Sequence, residues 1–253
     1  MIGGSNEYPF LILGMTELCS QIKLALQEKA IPEKAAFFPR FFKSMPGEYA
    51  EGDMFLGVIV PEQRKIAKAC YAEITPGVIT ELLQDPYHEV RLTALFMLVF
   101  RYQKAKSEES QQEFVDFYLN HMEFINNWDL VDTTCHPILG HFYFRRDKML
   151  FYDLAKSGNL WKQRIAMISS LYWIKQGEFG DALNLAEILI NHPHDLIHKA
   201  VGWMLREIGK MNQEAELEFL RKYSKIMPRT ALRYSIEKFD QTLRLQILKG
   251  EGF

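Results

Sequence analysis

Residues 126–132 read NNWDLVD and place a tryptophan and two carboxylates within about a turn and a half of expected helix. The two carboxylates are not equivalent. Asn127 suits an N-cap, because its side-chain oxygen can accept from an orphan backbone N–H of the first turn. Asp129 then falls in that first turn, where the helix dipole favours a negative charge, and this accounts for it without chemistry. Asp132 follows Trp128 by four residues, so the two share one face, a turn apart. Leu130 and Val131 point elsewhere and are read as core. Taken alone, the stretch reads first as a helix start and second as a site.

Other constellations are weaker. His192, His194 and His198 lie in HPHDLIH, with two of them at i,i+4. The glutamate of a zinc-binding HExxH helix is absent, and Pro193 with Asp195 marks a loop-to-helix start, so no metal is expected. EYAEGD (48–53) lacks phosphate-loop and dinucleotide spacing, and no GxSxG or Cys–His arrangement offers a covalent nucleophile. No cofactor is expected. Trp161 and Trp173 fall in a periodic apolar stretch and are read as core. Trp203 differs, because it sits beside Gly202 and Arg206 in GWMLRE. A glycine inside a helix costs about 1 kcal/mol relative to alanine, so something is expected to approach that face closely.

These residues need elements to hold them. A chain of 253 residues suffices for a substantial core, and 48% hydrophobic with 25% charged residues is a globular composition. Three cysteines without metal spacing point to a reducing compartment and inert thiols. The N-terminal MIGGSNEYPFLILGM has no basic residue before its short apolar run and does not read as a signal peptide. No later stretch reaches the length of a membrane span. A cytoplasmic location is expected. The net charge of −2 hides an asymmetry. Residues 133–253 hold 18 Lys plus Arg against 13 Asp plus Glu, whereas residues 1–132 hold 12 against 19. A polyanion could therefore meet a basic half that the average conceals.

Helical signals dominate. Thr16 is read as the cap of TELCSQIKLALQEKA, and Pro61 as the first helical residue of PEQRKIAKACYAEI. HEVRLTALFMLVFRY, LWKQRIAMISSLYWIK, DLIHKAVGWMLREIGK and TALRYSIEKF are amphipathic or apolar at helical spacing. FLGVIV (55–60) is read as a tied-down extended loop, with a lone strand as the alternative. Aligned on a basic residue, the four helices give Arg91, Arg164, Lys199 and Arg233. The last three are 35 and 34 residues apart, and the 73 residues from 91 to 164 make about two such periods, with a midpoint at 127–128. A period near 36 with two helices per unit is what stacked repeats of the HEAT type give. On that reading the four cations form a row on one curved surface with Trp128 and Asp132 in its middle. The alternative is four unrelated surface charges.

Several stretches together resemble the AlkD family of DNA alkylation repair glycosylases. They are FFKSMPGEYAEGDMFLGVIVPEQRKIAK (41–68), HEVRLTALFMLV (88–99), NNWDLVD (126–132), LWKQRIA (160–166), DLIHKAVGWMLREIGK (195–210) and MPRTALRYSIEKF (227–239). WDLVD and GWMLRE carry the resemblance in combination. It implies an all-α fold, a right-handed α-α superhelix of HEAT-like repeats with a concave basic face. Residues 16–253 are expected to form one domain after a poorly ordered extension, 1–15.

The resemblance also implies an enzyme that excises cationic purines alkylated on a ring nitrogen from duplex DNA, without flipping the base into a pocket. Its pattern matches Trp128 and Asp132 as the aromatic and the catalytic aspartate, and Trp203 as a second aromatic. Arg164 matches a DNA-facing arginine and Arg206 a second one. Phe41 stands at a position where the family typically has tyrosine, which removes a hydroxyl. Arg91, Lys199 and Arg233 join the DNA-binding set through the basic row. The partner implied is double-stranded DNA bearing alkylated purines, and the protein is expected to be a monomer without a membrane association. The alternative is a non-catalytic DNA-binding or protein-interaction module on the same scaffold.

Overall fold

The computed structural model describes residues 14–251. Among them the chain is all-α, with no strand beyond a single parallel bridge between Met54 and Tyr87. The first helices are α1 (Met15–Gln27), α2 (Pro32–Phe42), α3 (Val60–Cys70), α4 (Pro76–Leu83), α5 (His88–Lys104) and α6 (Glu108–Asn120). A short helix, α7 (Trp128–Asp132), opens the candidate site, and α8 (Met149–Lys156), α9 (Leu160–Lys175) and α10 (Gly180–Leu189) follow. The chain closes with α11 (Asp195–Met211), α12 (Gln213–Tyr223), α13 (Arg229–Ser235) and α14 (Gln241–Lys249). No helix of the described residues is long and apolar enough to cross a membrane.

By packing, the chain divides between residues 130 and 131 into two compact units. In the first, α5 is the central element, packed against α3, α4 and α6, with α1 on α3 and α4. In the second, α9 packs against α8, α10 and α11, and α11 in turn against α12 and α13. Both central helices are buried on nearly every side, so they bury their polar residues as well. His88, Glu89, Arg91 and Thr93 in α5, and Gln163, Arg164, Ser169 and Ser170 in α9, are all buried.

The expected extension, residues 1–15, lies outside the described residues except at its end, where Gly14 caps α1 and Met15 begins it. Thr16 is thus not the cap. The Gly14 carbonyl already accepts from the amides of Glu17 and Leu18, which starts the helical ladder earlier than the sequence suggests. Pro61 occupies the second position of α3 instead of the first, still among the amides that need no intrahelical partner. FLGVIV is an extended loop, as read. Its amides are satisfied by a side chain: Glu89 accepts from Leu56, Gly57 and Val58 at 3.1, 2.7 and 3.2 Å. A buried loop would otherwise carry unpaired backbone donors. The thiols of Cys19 and Cys70 are buried, and burial pushes them up to about 11 and about 12, in keeping with inert core groups.

The close approach expected at Gly202 is real, and its partner is protein. A Cβ there would lie 2.4 Å from the Ala231 carbonyl oxygen and 2.5 Å from Tyr234 Cβ, both on α13. Gly140 makes the same kind of approach to α9, with Ser169 O at 2.3 Å and Tyr172 Cβ at 2.9 Å. Gly202→Ala must therefore push α11 and α13 apart, with an expected loss of about 1–3 kcal/mol. A melting temperature of the variant within a degree of the parent would show that the helices separate freely.

Glu216 of α12 is 1% exposed, and its Oε1 lacks a hydrogen-bond partner among the described residues. Burial pushes its carboxyl up to about 9, against the opposing pull of the Arg206 charge. The folded state therefore holds a proton that the unfolded state releases near pH 4.5, and stability falls as pH rises between those values. The slope is about 1.4 kcal/mol per pH unit for one group. Denaturant titrations of the parent and Glu216→Gln should converge near pH 4 and diverge steadily up to pH 9. A constant difference across that range would remove Glu216 as the titrating group.

Candidate functional site

Helix α7 begins at Trp128 because three preceding or early side chains are fixed in the first unit. Asn127 is fully buried; its Oδ1 accepts from the Trp128 amide at 2.8 Å, and its Nδ2 donates to the Phe42 carbonyl at 3.3 Å. Asn126 Oδ1 accepts from Arg91 Nη2 at 3.2 Å. Asp129 places Oδ1 on the Leu130 amide at 2.9 Å and Oδ2 on His88 Nε2 at 2.8 Å. The helix-start role read for Asp129 is thus incomplete, because this carboxylate is buried against an imidazole. Leu130 and Val131 are fully buried, as read.

His88 is the residue that sequence reasoning missed. It is 1% exposed, and both ring nitrogens meet carboxylates: Nε2 faces Asp129, and Nδ1 faces Asp53 Oδ2 at 3.3 Å. Burial opposes its charge, but the charge and hydrogen bond of Asp129 and the hydrogen bond of Asp53 prevail and carry it up to about 9. Asp53 also accepts from Arg91 Nη2 at 2.7 Å. Burial alone would raise the Asp53 carboxyl, yet His88 and Arg91 hold it below its ordinary value. The sequence signal that could have found this cluster is His88, Glu89 and Arg91 crowded into the first turn of an otherwise apolar helix.

An aromatic assembly covers this cluster. Phe42 stacks on Trp128 (centroids 5.6 Å, interplanar 19°) and on Phe55 (5.3 Å, 12°), and lies 4.6 Å from the His88 ring. Phe41, 48% exposed, meets Trp128 edge-on at 5.8 Å. Sequence reading identified Phe41 and Trp128 but not Phe42 or Phe55, which are the rings that tie them to the core.

In the second unit Asp132 is held by Arg164 in a two-pronged pair. Arg164 Nε donates to Oδ1 at 2.8 Å and Nη2 to Oδ2 at 2.7 Å, with side-chain exposures of 5% for Arg164 and 13% for Asp132. The third nitrogen, Nη1, donates to the Leu196 carbonyl at the start of α11. This planar fork fixes carboxylate orientation as a lysine could not. Arg164 is therefore not an open surface cation, and neither is Arg91, whose Nη1 donates to the carbonyls of Asp85 and Pro86. The expected row of four surface cations thus loses two members to burial. Lys199 is half-buried and pairs with Asp195 at 2.7 Å, and Arg233 is exposed. Arg164, Lys199 and Arg233 do share a place, each the fifth residue of its helix.

Trp203 is half-buried, and its indole N–H donates to Glu207 at 3.1 Å. Arg206 pairs with Glu237. Trp173 is core, as read, with its N–H on the Gly140 carbonyl at 2.7 Å. The histidines singled out in HPHDLIH serve local structure: His194 accepts from the Leu196 amide, His192 meets Gln163 Oε1 at 2.9 Å, and His198 meets the His192 carbonyl.

The buried pair at Asp129 has a measurable consequence. His88 has a raised proton affinity in the folded state, so its stabilisation is complete below pH 6.5 and is lost as pH rises through about 9. Asp129→Asn removes the charge that holds the proton and is expected to cost about 1–3 kcal/mol at neutral pH. Denaturant midpoints of parent and variant should differ clearly at pH 6 and draw together above pH 9. A difference that grows with pH would contradict this assignment.

The fold and these arrangements can be set beside known proteins. Comparison with curated proteins gives no match. Among solved structures, the chain is similar to one described as a predicted DNA alkylation repair enzyme from Enterococcus faecalis. That likeness has a TM-score of 0.60 at 18% identity, covering 84% of this chain and 98% of the other, and it is a likeness of fold. The family model for DNA alkylation repair enzymes matches residues 22–239, most of the chain and every helix from α2 to α13. The chain belongs to the DNA alkylation repair enzyme family.

Proposed function

We propose that this protein is a DNA glycosylase that excises cationic, ring-nitrogen-alkylated purines from duplex DNA, with Asp132 as its catalytic residue. The observation that carries the reading is the orientation of Asp132 by the Arg164 fork, one helical turn after Trp128 on α7. Family membership supplies the repair role and the DNA partner.

The chemistry suits a single carboxylate. Glycosidases acting on neutral leaving groups need one acid to protonate the leaving atom and a second carboxylate for the sugar. A purine alkylated on a ring nitrogen already carries the positive charge. As the bond from C1′ to the base nitrogen breaks, the electron pair leaves with the base, which departs neutral, and the positive charge passes to the sugar. Asp132 stabilises that oxocarbenium-like sugar, and water adds to C1′ with loss of a proton. Trp128, and Trp203 on α11, offer electron-rich faces that favour a cationic lesion. Arg164 has no need to touch phosphate in this scheme. Its fork holds the carboxylate in one orientation before the charge develops, which is the condition under which an electrostatic group is most effective. Phosphate contacts fall to the more accessible cations, Arg233 and Lys199, with Arg206 and Phe41 at the margins of the same reading and Arg91 in a supporting place. Base flipping is not required.

The test is release of free base from methylated duplex DNA under single-turnover conditions. Asp132→Asn keeps the shape of the side chain and should bind DNA like the parent, while its rate falls by at least ~10²-fold, the scale of losing one preorganised electrostatic group. Trp128→Ala and Trp203→Ala should slow release of the cationic base, and a neutral lesion should be a poor substrate for every form. Equal rates for Asp132→Asn and the parent would end the mechanism. No release by the parent on any alkylated duplex, with DNA binding retained, would give the chain to the alternative of a non-catalytic binding module.

A further inference from the structure

The buried imidazole of His88 is a titratable group beside α7 that the proposed chemistry does not use. Its two ring nitrogens face two different carboxylates, Asp53 at 3.3 Å and Asp129 at 2.8 Å. A neutral imidazole has one N–H and one lone pair, so it can donate to only one of them and must turn the lone pair on the other. Only the doubly protonated ring satisfies both. A further charged neighbour is Arg91, which shares Asp53 and disfavours the His88 charge. Glu89, the next residue on α5, is directed to the amides of residues 56–58.

Three connections lead from this ring to Trp128. Asp129 follows Trp128 directly in α7 and is held by His88 Nε2. Phe42 lies against the His88 ring and stacks on the Trp128 ring. The Phe42 carbonyl accepts from Asn127, whose side chain in turn accepts from the Trp128 amide. The backbone and the ring of Trp128 are therefore both set by groups that depend on His88.

We propose that His88, protonated on both ring nitrogens, is a positioning residue for Trp128: the Asp53–His88–Asp129 bridge holds the start of α7, and loss of the bridging proton releases the indole from its place. The inference rests on the reading of Trp128 as part of the DNA site, but its first readout does not need that reading. When the proton leaves, one carboxylate faces a lone pair in a buried space. Two buried negative groups then oppose each other across a neutral ring, with Arg91 paired to Asp53. Asp129 directly follows Trp128 on a five-residue helix, so its displacement carries Trp128 with it. The site would be assembled at neutral pH and would come apart on the alkaline side.

The experiment uses the full chain and takes the Trp128 emission as the difference between the parent and Trp128→Phe. Between pH 6 and 10 this signal should titrate with a midpoint near 9. His88→Gln should abolish the transition and, with its helical circular dichroism intact, lower single-turnover base release at pH 7 by at least about tenfold, since misplacing a site group by an ångström can cost up to a hundredfold. If His88→Gln fails to fold, Asp53→Asn serves in its place. It removes one carboxylate that favours the protonated ring, so the midpoint should move to lower pH. A merely structural role would leave the midpoint where it was. A flat Trp128 signal in the parent overturns the proposal, as does a midpoint near 9 that survives in His88→Gln, which would belong to another group such as Glu216. If the parent releases no base at all, the glycosylase reading fails while the fluorescence titration still decides for or against His88.

Discussion

The arrangement around α7 depends on one constraint: charges taken out of water must find partners. An unpaired buried ion costs several kcal/mol, whereas a pair with its remaining hydrogen bonds satisfied is tolerated. The first turn of α5 buries His88, Glu89 and Arg91 together. Each therefore recruits a segment from elsewhere in the first unit. Glu89 gathers the amides of residues 56–58, Arg91 gathers Asp53 and Asn126, and His88 gathers Asp53 and Asp129. The loop before α3 and the start of α7 are shaped by these demands more than by any preference of their own. A five-residue helix has almost no stability in isolation. It exists here because its flanking asparagines and its second residue are held.

The same constraint acts in the second unit at Asp132. A carboxylate 13% exposed is matched by a guanidinium that is itself 5% exposed and fully engaged by Asp132 and the Leu196 carbonyl. The match makes the orientation of Asp132 a property of α9 and α11, the two most heavily packed helices of that unit. A group intended to stabilise a transient cation gains most when it does not have to reorganise as the charge appears. The proposed role of Asp132 draws on that requirement, because its Arg164 partner sits on α9 and is tied to α11, and the proposed cationic leaving group would need no second acid.

Helix packing explains why these central elements are so close. Gly140 and Gly202 remove a side chain where the backbone of another helix arrives, so that the carbonyl oxygens of Ser169 and Ala231 come within 2.3 and 2.4 Å of where a Cβ would be. Close approach at Gly202 fixes α11 and hence Trp203 beside it. The helical penalty of glycine is offset by tight packing along the rest of the interface.

By itself the sequence determined the helices and the motif. LWKQRIAMISSLYWIK is α9 from end to end, NNWDLVD holds a helix start with Leu130 and Val131 in the core, and FLGVIV is a loop. Those features are local: caps, apolar spacing and turn chemistry act over a few residues, and the chain displays them directly. It also put Arg164, Lys199 and Arg233 at one helical position, since periodicity is likewise read along the chain. Only the tertiary structure decided what those positions face. Arg91 and Arg164 look like surface cations in sequence, yet each is buried on a carboxylate that lies 38 or 32 residues away. His88 looks like any helix-start histidine until Asp53 and Asp129 close on it from 35 and 41 residues away. Nothing in a helical pattern encodes such partners, because burial of α5 and α9 on nearly all sides erases the contrast between faces from which a sequence tells inside from outside. A charge pair is made by proximity in space, and proximity is set when the helices pack.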